Sequence, residues 1–219
     1  MAINPNTQHK NQNTGFIAMS GAGKSQALMN TLPTRGVRCL LWDIDNDHAQ
    51  YNTFYYNDKR KYIRAVKSAI KSGYGFRIAW DGANDVETFE WWCSVVYAAL
   101  DGNHLTYIVV EELADVSPSS AKATQNFGEI NRKCRKFGGV LLWTSQRSQE
   151  IAKTAYTQCD TFFIGKQKRS AKVKNLAELI GESEEAIKAL KPMQFYKSVL
   201  DVAHKVNIKY KKVGEVKRG

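Results

Sequence analysis

Apolar and polar positions alternate along this chain in two rhythms. Short runs that are almost wholly apolar occur at Gly15–Ala18, Val37–Trp42, Phe76–Trp80, Tyr107–Val110, Val140–Thr144 and Thr161–Ile164. Their length and lack of polar positions predict strands buried on both faces. Between them the apolar residues step by three and four. Val86, Phe89, Cys93, Val96, Tyr97 and Leu100 predict one helical face. Ala123, Phe127, Ile130, Cys134 and Phe137 predict another, ending before Gly138-Gly139. Ile63, Val66 and Ile70 form a narrower stripe on a basic helix that ends at Gly73 and is expected at the surface. Strands alternating with helices predict an α/β fold: a three-layer, mostly parallel central sheet with flanking helices.

After Gly165 the rhythm changes. A basic loop, 166–170, leads to two short helical segments, Ala171–Ile180 and Ser183–Leu190. Phe195–Leu200 and Lys205–Lys211 alternate and are expected to pair as a hairpin, with Val206, Ile208 and Tyr210 on one face. The expected organisation is a polar segment over 1–14, a core over 15–165, and a basic C-terminal helix and hairpin extension over 166–219 that completes the domain.

Composition narrows the class. The 219 residues, 43% hydrophobic, suffice for one packed α/β unit. No run approaches the length of a membrane span, and 1–12 lack the apolar core of a signal peptide. Cys39, Cys93, Cys134 and Cys159 are widely spaced, with no Cys-x-x-Cys pair for zinc or redox chemistry. A reduced, cytoplasmic setting follows. The net charge is +11, and most of it lies after Phe162, where 14 Lys/Arg face 6 Asp/Glu. Such an excess suits an anionic macromolecule, above all nucleic acid.

Three constellations carry chemistry. The first is Ala18-Met-Ser-Gly-Ala-Gly-Lys-Ser25, between a strand and the helical segment 26–32. That is the context of a phosphate-binding P-loop. Gly21 and Gly23 let successive N–H groups turn toward one phosphate, and the helix beginning near Lys24 adds its positive end. Ser20, Gly21, Ala22, Gly23, Lys24, Ser25 and Gln26 are the expected cradle for ATP. Lys24 reaches the β- and γ-phosphates, and the Ser25 hydroxyl binds Mg²⁺. The usual first Gly is Ala18 here.

The second is Tyr107-Ile-Val-Val-Glu-Glu-Leu-Ala-Asp115, an apolar strand delivering two acids in a Walker B pattern. Alternation gives the acids different tasks: Glu111 holds Mg²⁺ through its water, and Glu112 activates the attacking water. The third is Val140-Leu-Leu-Trp-Thr-Ser-Gln-Arg147, where Gln146 is placed to sense the γ-phosphate.

Glu111-Glu112-Leu-Ala-Asp115, followed after the next strand by Thr144-Ser-Gln-Arg-Ser148, resembles the FtsK–HerA superfamily of DNA-pumping P-loop ATPases. The resemblance covers Gly15 to Gly165. Glu111 replaces the family's Asp, and Ser145 is inserted before the Gln. The small size looks most like the genome-packaging ATPases of tailless icosahedral viruses with an internal membrane. The resemblance implies a RecA-like fold and a homo-oligomeric ring, a hexamer, that translocates double-stranded DNA. It implies a host-cytoplasmic or virion setting, with capsid-vertex or membrane-associated virion proteins as further partners. It also implies an arginine supplied by the neighbouring subunit; Arg132 and Arg135, three apart on one helix, are the preferred candidates, with Arg147 a third.

Two other readings use the same residues. A small nucleotide or nucleoside kinase shares the P-loop but needs an arginine-rich lid, of which only Arg169 is present. A nucleotide-gated DNA-binding virion protein binds ATP without turnover. Asp43-Ile-Asp-Asn-Asp47 opens like a calcium loop but has His48 and Phe54 where Gly and an acid belong; Asp43 or Asp45 is expected to cap the strand near the nucleotide instead. Tyr51, Phe54, Tyr55 and Tyr56 beside Lys59-Arg60-Lys61 suit nucleic acid, core packing or a subunit contact equally.

Overall fold

The computed structural model describes residues 2–49, 52–168, 172–212 and 214–219. Ten strands form one sheet in the order β10-β3-β4-β2-β5-β6-β1-β7-β8-β9. They are β1 Thr14–Ile17, β2 Arg38–Trp42, β3 Phe54–Tyr56, β4 Phe76–Trp80, β5 Thr106–Val110, β6 Gly139–Ser145, β7 Thr161–Gly165, β8 Gln194–Val199, β9 Val202–Asn207 and β10 Lys217–Arg218. All adjacent pairs are parallel except β7–β8 and β8–β9. The helices are α1 Lys24–Thr31, α2 Lys59–Ser72, α3 Val86–Ala98, α4 Gln125–Lys133, α5 Lys153–Thr157, α6 Lys172–Ile180 and α7 Glu184–Lys188. The expected α/β fold, with a mostly parallel central sheet, is the one observed.

Strand alternation divides the core in two. Leu40, Trp42, Ile108, Val110, Leu141 and Trp143 face a layer that includes α2, α3, α4, α6 and α7. Cys39, Leu41, Val109, Val140 and Leu142 face the other layer, where α1 contributes Ala27 and Leu28 and β8 contributes Phe195. Each full side chain so buried contributes about 1.5–3 kcal/mol. The larger layer is rich in rings. Trp42 meets Trp80, Phe89 and Trp92, and the Trp92 indole N–H donates to the Tyr62 hydroxyl at 2.7 Å. Trp92 is therefore packing, not a base-stacking platform.

Several sequence expectations shift. The helix expected over Ala123–Phe137 is broken: Lys133, with φ −124°, leaves the helical region, and Cys134–Phe137 tighten into a 3₁₀ turn. The helix expected from Ala171 is described from Lys172; Ala171 and Arg169 lie outside the described residues. The hairpin forms, but its second strand is Val202–Asn207, because Leu200 and Asp201 (φ 46° and 66°) make a two-residue left-handed turn. Val206 pairs with Phe195, whereas Ile208 and Tyr210 lie beyond β9. Phe54–Tyr56 is a strand that sequence alone did not suggest. Tyr55 is fully buried and Tyr56 packs edge-on against Tyr62, so core packing accounts for both; Tyr51 lies outside the described residues.

The C-terminal segment joins both sheet edges. It enters the sheet at β8 and β9, crosses α1, and re-enters beside β3 as β10. Its hold on α1 is specific: the Asn30 amide donates to the Lys209 carbonyl, and the Lys211 ammonium donates to the Met29 carbonyl. Among the described residues no helix is long and apolar enough to cross a membrane.

Candidate active site

The strand order brings the three constellations together. β6 lies between β5 and β1, so the ends of all three open onto one place. Gly139–Ser145 therefore stands next to both the P-loop strand and the strand carrying the acids, as its apolar run and polar end require.

Gly21 (φ 71°) and Gly23 (φ 98°) take the left-handed conformations that free the loop to curl before α1. The loop's far side is covered by Met193, whose N–H donates to the Ala22 carbonyl at 3.0 Å. Ala22 is buried and Ser20 and Gly21 are exposed. Lys24 is 9% exposed. Burial pushes its ammonium below the usual lysine value, opposed by the charges of Glu112, Glu111 and Asp47.

Glu111 sits in a dense network. Its Oε2 accepts from the Thr144 hydroxyl at 2.6 Å, and its Oε1 lies 2.5 Å from His48 Nε2. Burial raises its carboxyl pKa, but the His48 contact and charge, Thr144 and Lys24 together hold it below the usual value. Ser25 Oγ donates to Asp47 Oδ2 at 2.6 Å and lies 3.5 Å from Glu111 Oε2.

Glu112 takes a left-handed backbone (φ 46°, ψ 61°). Its own N–H donates to Thr144 Oγ1 at 2.9 Å. Its carboxylate accepts from the Gln146 N–H at 2.9 Å and from Ser145 Oγ at 3.1 Å. Burial raises its pKa despite those donors and the Lys24 charge. Thr144 thus fixes both acids at once, accepting from one residue's backbone and donating to the other's side chain.

These groups line a cavity of about 270 Å³ that includes Lys24, Ser25, Asp47, Glu111, Glu112 and Gln146. Asp45, Asp115 and Arg147 complete it, so five acids face two cations. An anionic triphosphate would be repelled there without a bridging cation. The donors near Ser25 are hydroxyl and carboxylate oxygens, which suit Mg²⁺, an ion that keeps several waters and takes one or two protein oxygens. The residues fit the ion: Ser25 and Glu111, with Asp47 beside them.

Other expected site residues have their side chains engaged by protein groups or turned away from the cavity. The Gln26 side chain is turned to the C-terminal segment, accepting from the Lys211 N–H at 2.6 Å and donating to its carbonyl at 2.8 Å. Arg135 donates to the His9 and Thr7 carbonyls, at 2.6 and 3.4 Å, and so holds the N-terminal segment. Arg132 is exposed near Lys122 and Glu129. The break at Lys133 removes the shared face expected for these two arginines. Arg147 is paired with Asp115, and with Glu150 at 2.9 Å.

Sequence reasoning missed Asp47, His48 and Thr144. The signal was present: Asp43–His48 follows an apolar strand just as Glu111-Glu112 does. Asp43 does cap that loop, accepting from the Asp47 and His48 N–H groups, both at 2.9 Å, and from the Tyr55 hydroxyl at 2.5 Å.

No family model matches the sequence. Protein P9 of Pseudoalteromonas phage PM2 is 32% identical over 187 residues, covering 85% of this chain and 80% of the phage protein. The genome packaging NTPase B204 of Sulfolobus turreted icosahedral virus 2, in complex with AMPPCP, superposes with a TM-score of 0.71 at 15% identity, over 91% of this chain and 97% of B204. VirB4 of Thermoanaerobacter pseudethanolicus superposes with a TM-score of 0.65 at 12% identity, over 92% of this chain and 90% of VirB4. The chain belongs to the family of Protein P9 of phage PM2, and its fold is that of the FtsK–HerA P-loop ATPases.

Proposed function

We propose that this chain is an ATPase that drives double-stranded DNA into a viral capsid, working with Mg²⁺ as a homo-oligomeric, hexameric ring. One observation carries the reading: Lys24 and Ser25, Glu111 and Glu112, and Gln146 come from three adjacent strand ends to one cavity. Their division of labour follows from their surroundings. Lys24 neutralises the outer phosphates. Ser25 and Glu111 would hold Mg²⁺, which when bound would offset the phosphate charge. Glu112, pushed above its ordinary pKa by burial, is suited to take a proton from water. The Gln146 backbone steadies that carboxylate, leaving its exposed amide side chain for the γ-phosphate. The neighbour's arginine falls to Arg132, since Arg135 is occupied by the N-terminal carbonyls.

The test is ATP turnover with and without duplex DNA, alongside Lys24→Ala. Duplex-stimulated hydrolysis that disappears in the variant is expected. Full turnover by Lys24→Ala overturns the reading. Nucleotide binding without turnover in the unaltered chain assigns it instead to a nucleotide-gated binding protein.

A further inference from the structure

We propose that the outward face of α2 grips the phosphate backbone of duplex DNA, at a surface separate from the nucleotide cavity; this rests on the translocase reading above. Between Lys59 and Ser72 the helix carries six cations and no acid. Arg60, Arg64, Lys67 and Lys71 are spaced four, three and four apart. At 100° per residue they fall within an arc of about 60°, in a stripe about 16 Å long. All four are exposed.

The opposite face of α2 does the packing. Tyr62 and Val66 are buried, and the Tyr62 ring meets Trp80 and Trp91 edge-on. Lys59 is set apart, with its ammonium over the Trp91 ring at 5.1 Å. The four stripe residues take part in none of the ion pairs among the described residues. Like charges three and four apart destabilise a helix. The Asp58 cap and the left-handed Gly73 hold the ends, and the Asp58 charge reaches Arg60, but among the described residues no acid pairs with Arg64, Lys67 or Lys71. A cost left uncompensated inside the chain points to an anion outside it.

The stripe suits a regular polyanion. Its cations are long, evenly spaced and fixed to one rigid helix, which favours phosphates along a strand over base edges. Because the apolar face of α2 is spent in the core, the helix cannot insert into a bilayer. The stripe lies on the β3–β4 side of the sheet, away from β5, β6 and β1, so gripping DNA there leaves the cavity open.

The test compares the full chain with R60Q/R64Q/K67Q/K71Q, measuring affinity for a short labelled duplex across a salt series with a nonhydrolysable ATP analogue present. Glutamine keeps helix propensity. At least a tenfold loss of affinity is expected, with the slope of log affinity against log salt flattening by about 3.6. DNA-independent ATP turnover should stay unchanged, and the charge-keeping R60K/R64K should keep the wild-type slope. Duplex binding equal to wild type in the glutamine variant overturns the proposal and leaves the translocase reading standing. No duplex binding by the unaltered chain overturns both. Loss of the oligomer by light scattering, or binding of phosphatidylglycerol vesicles in place of DNA, assigns the stripe to another partner and overturns the proposal.

Discussion

His48 Nε2 lies 2.5 Å from Glu111 Oε1, with the two side chains only 1% and 11% exposed. Burial disfavours a charged imidazole, yet the hydrogen bond and charge of Glu111, backed by Asp43 and Asp47, hold His48 above its ordinary value. A histidine so raised lends stability that is complete below its unfolded pKa of about 6.5 and is lost as pH climbs through the folded value. Glu111 is held low, so its share is present above about 4.5 and is lost as pH falls through its folded value. Both shares coexist between about pH 4.5 and 6.5. The melting temperature of the metal-free protein should therefore fall from mildly acid to alkaline pH. His48→Asn should flatten that decline and lower stability by about 1–3 kcal/mol at mildly acid pH. An unchanged alkaline slope in the variant would show that His48 is not its source.

Burial disfavours the charge on Glu112 and holds its carboxyl above the ordinary value. Glu112→Gln keeps the acceptor oxygen for the Gln146 N–H but cannot take a proton. ATP turnover should drop by about 10²–10⁴, with nucleotide affinity preserved. In the unaltered chain, turnover should fall with acid through a pKa above the usual glutamate range. Steady-state rates across pH, beside equilibrium binding of ATPγS, separate the two effects.

How much of this was legible in the sequence follows from range. The buried strands at Val37–Trp42, Phe76–Trp80 and Tyr107–Val110 announce themselves because both faces are apolar, so no polar position blurs them. Glu111 and Glu112 announce themselves because acids at the end of such a strand have few structural uses. Phe54–Tyr56 does not: three residues at a sheet edge carry no periodicity, and only the pairing with β4 and β10 makes them a strand. His48 is silent for a related reason. Its partner is 63 residues away, and the contact exists because β2 and β5 are neighbours. The P-loop pattern speaks only for the Gln26 backbone; its side chain answers to Lys211, 185 residues later, a contact no local pattern announces.

That last contact gives the C-terminal segment a measurable anchor. Gln26 both accepts from and donates to the Lys211 backbone. Gln26→Ala removes two hydrogen bonds worth about 0.5–1.5 kcal/mol each. Amide exchange should accelerate at Lys211 and its neighbours, while the amides of β5 and β6 keep their protection. Uniform acceleration across the sheet would mean the segment is not held separately.

Gly23 and Gly21 both have positive φ, but their surroundings differ, and that separates space from strain. A Cβ at Gly23 would lie 2.5 Å from Met193 Sδ, whereas nothing stands within 4 Å of one at Gly21. Gly21→Ala should therefore cost only the left-handed backbone penalty, about 1–2 kcal/mol. Gly23 is harder: φ of 98° lies outside the range alanine tolerates, and the Met193 thioether would have to swing aside. Gly23→Ala should lose nucleotide binding altogether. Adding Met193→Ala opens the space but leaves φ unchanged, so melting temperature should recover in part while ATPγS affinity should not. Recovery of affinity in the double variant would show that the contact, not the backbone, decides the shape of the loop.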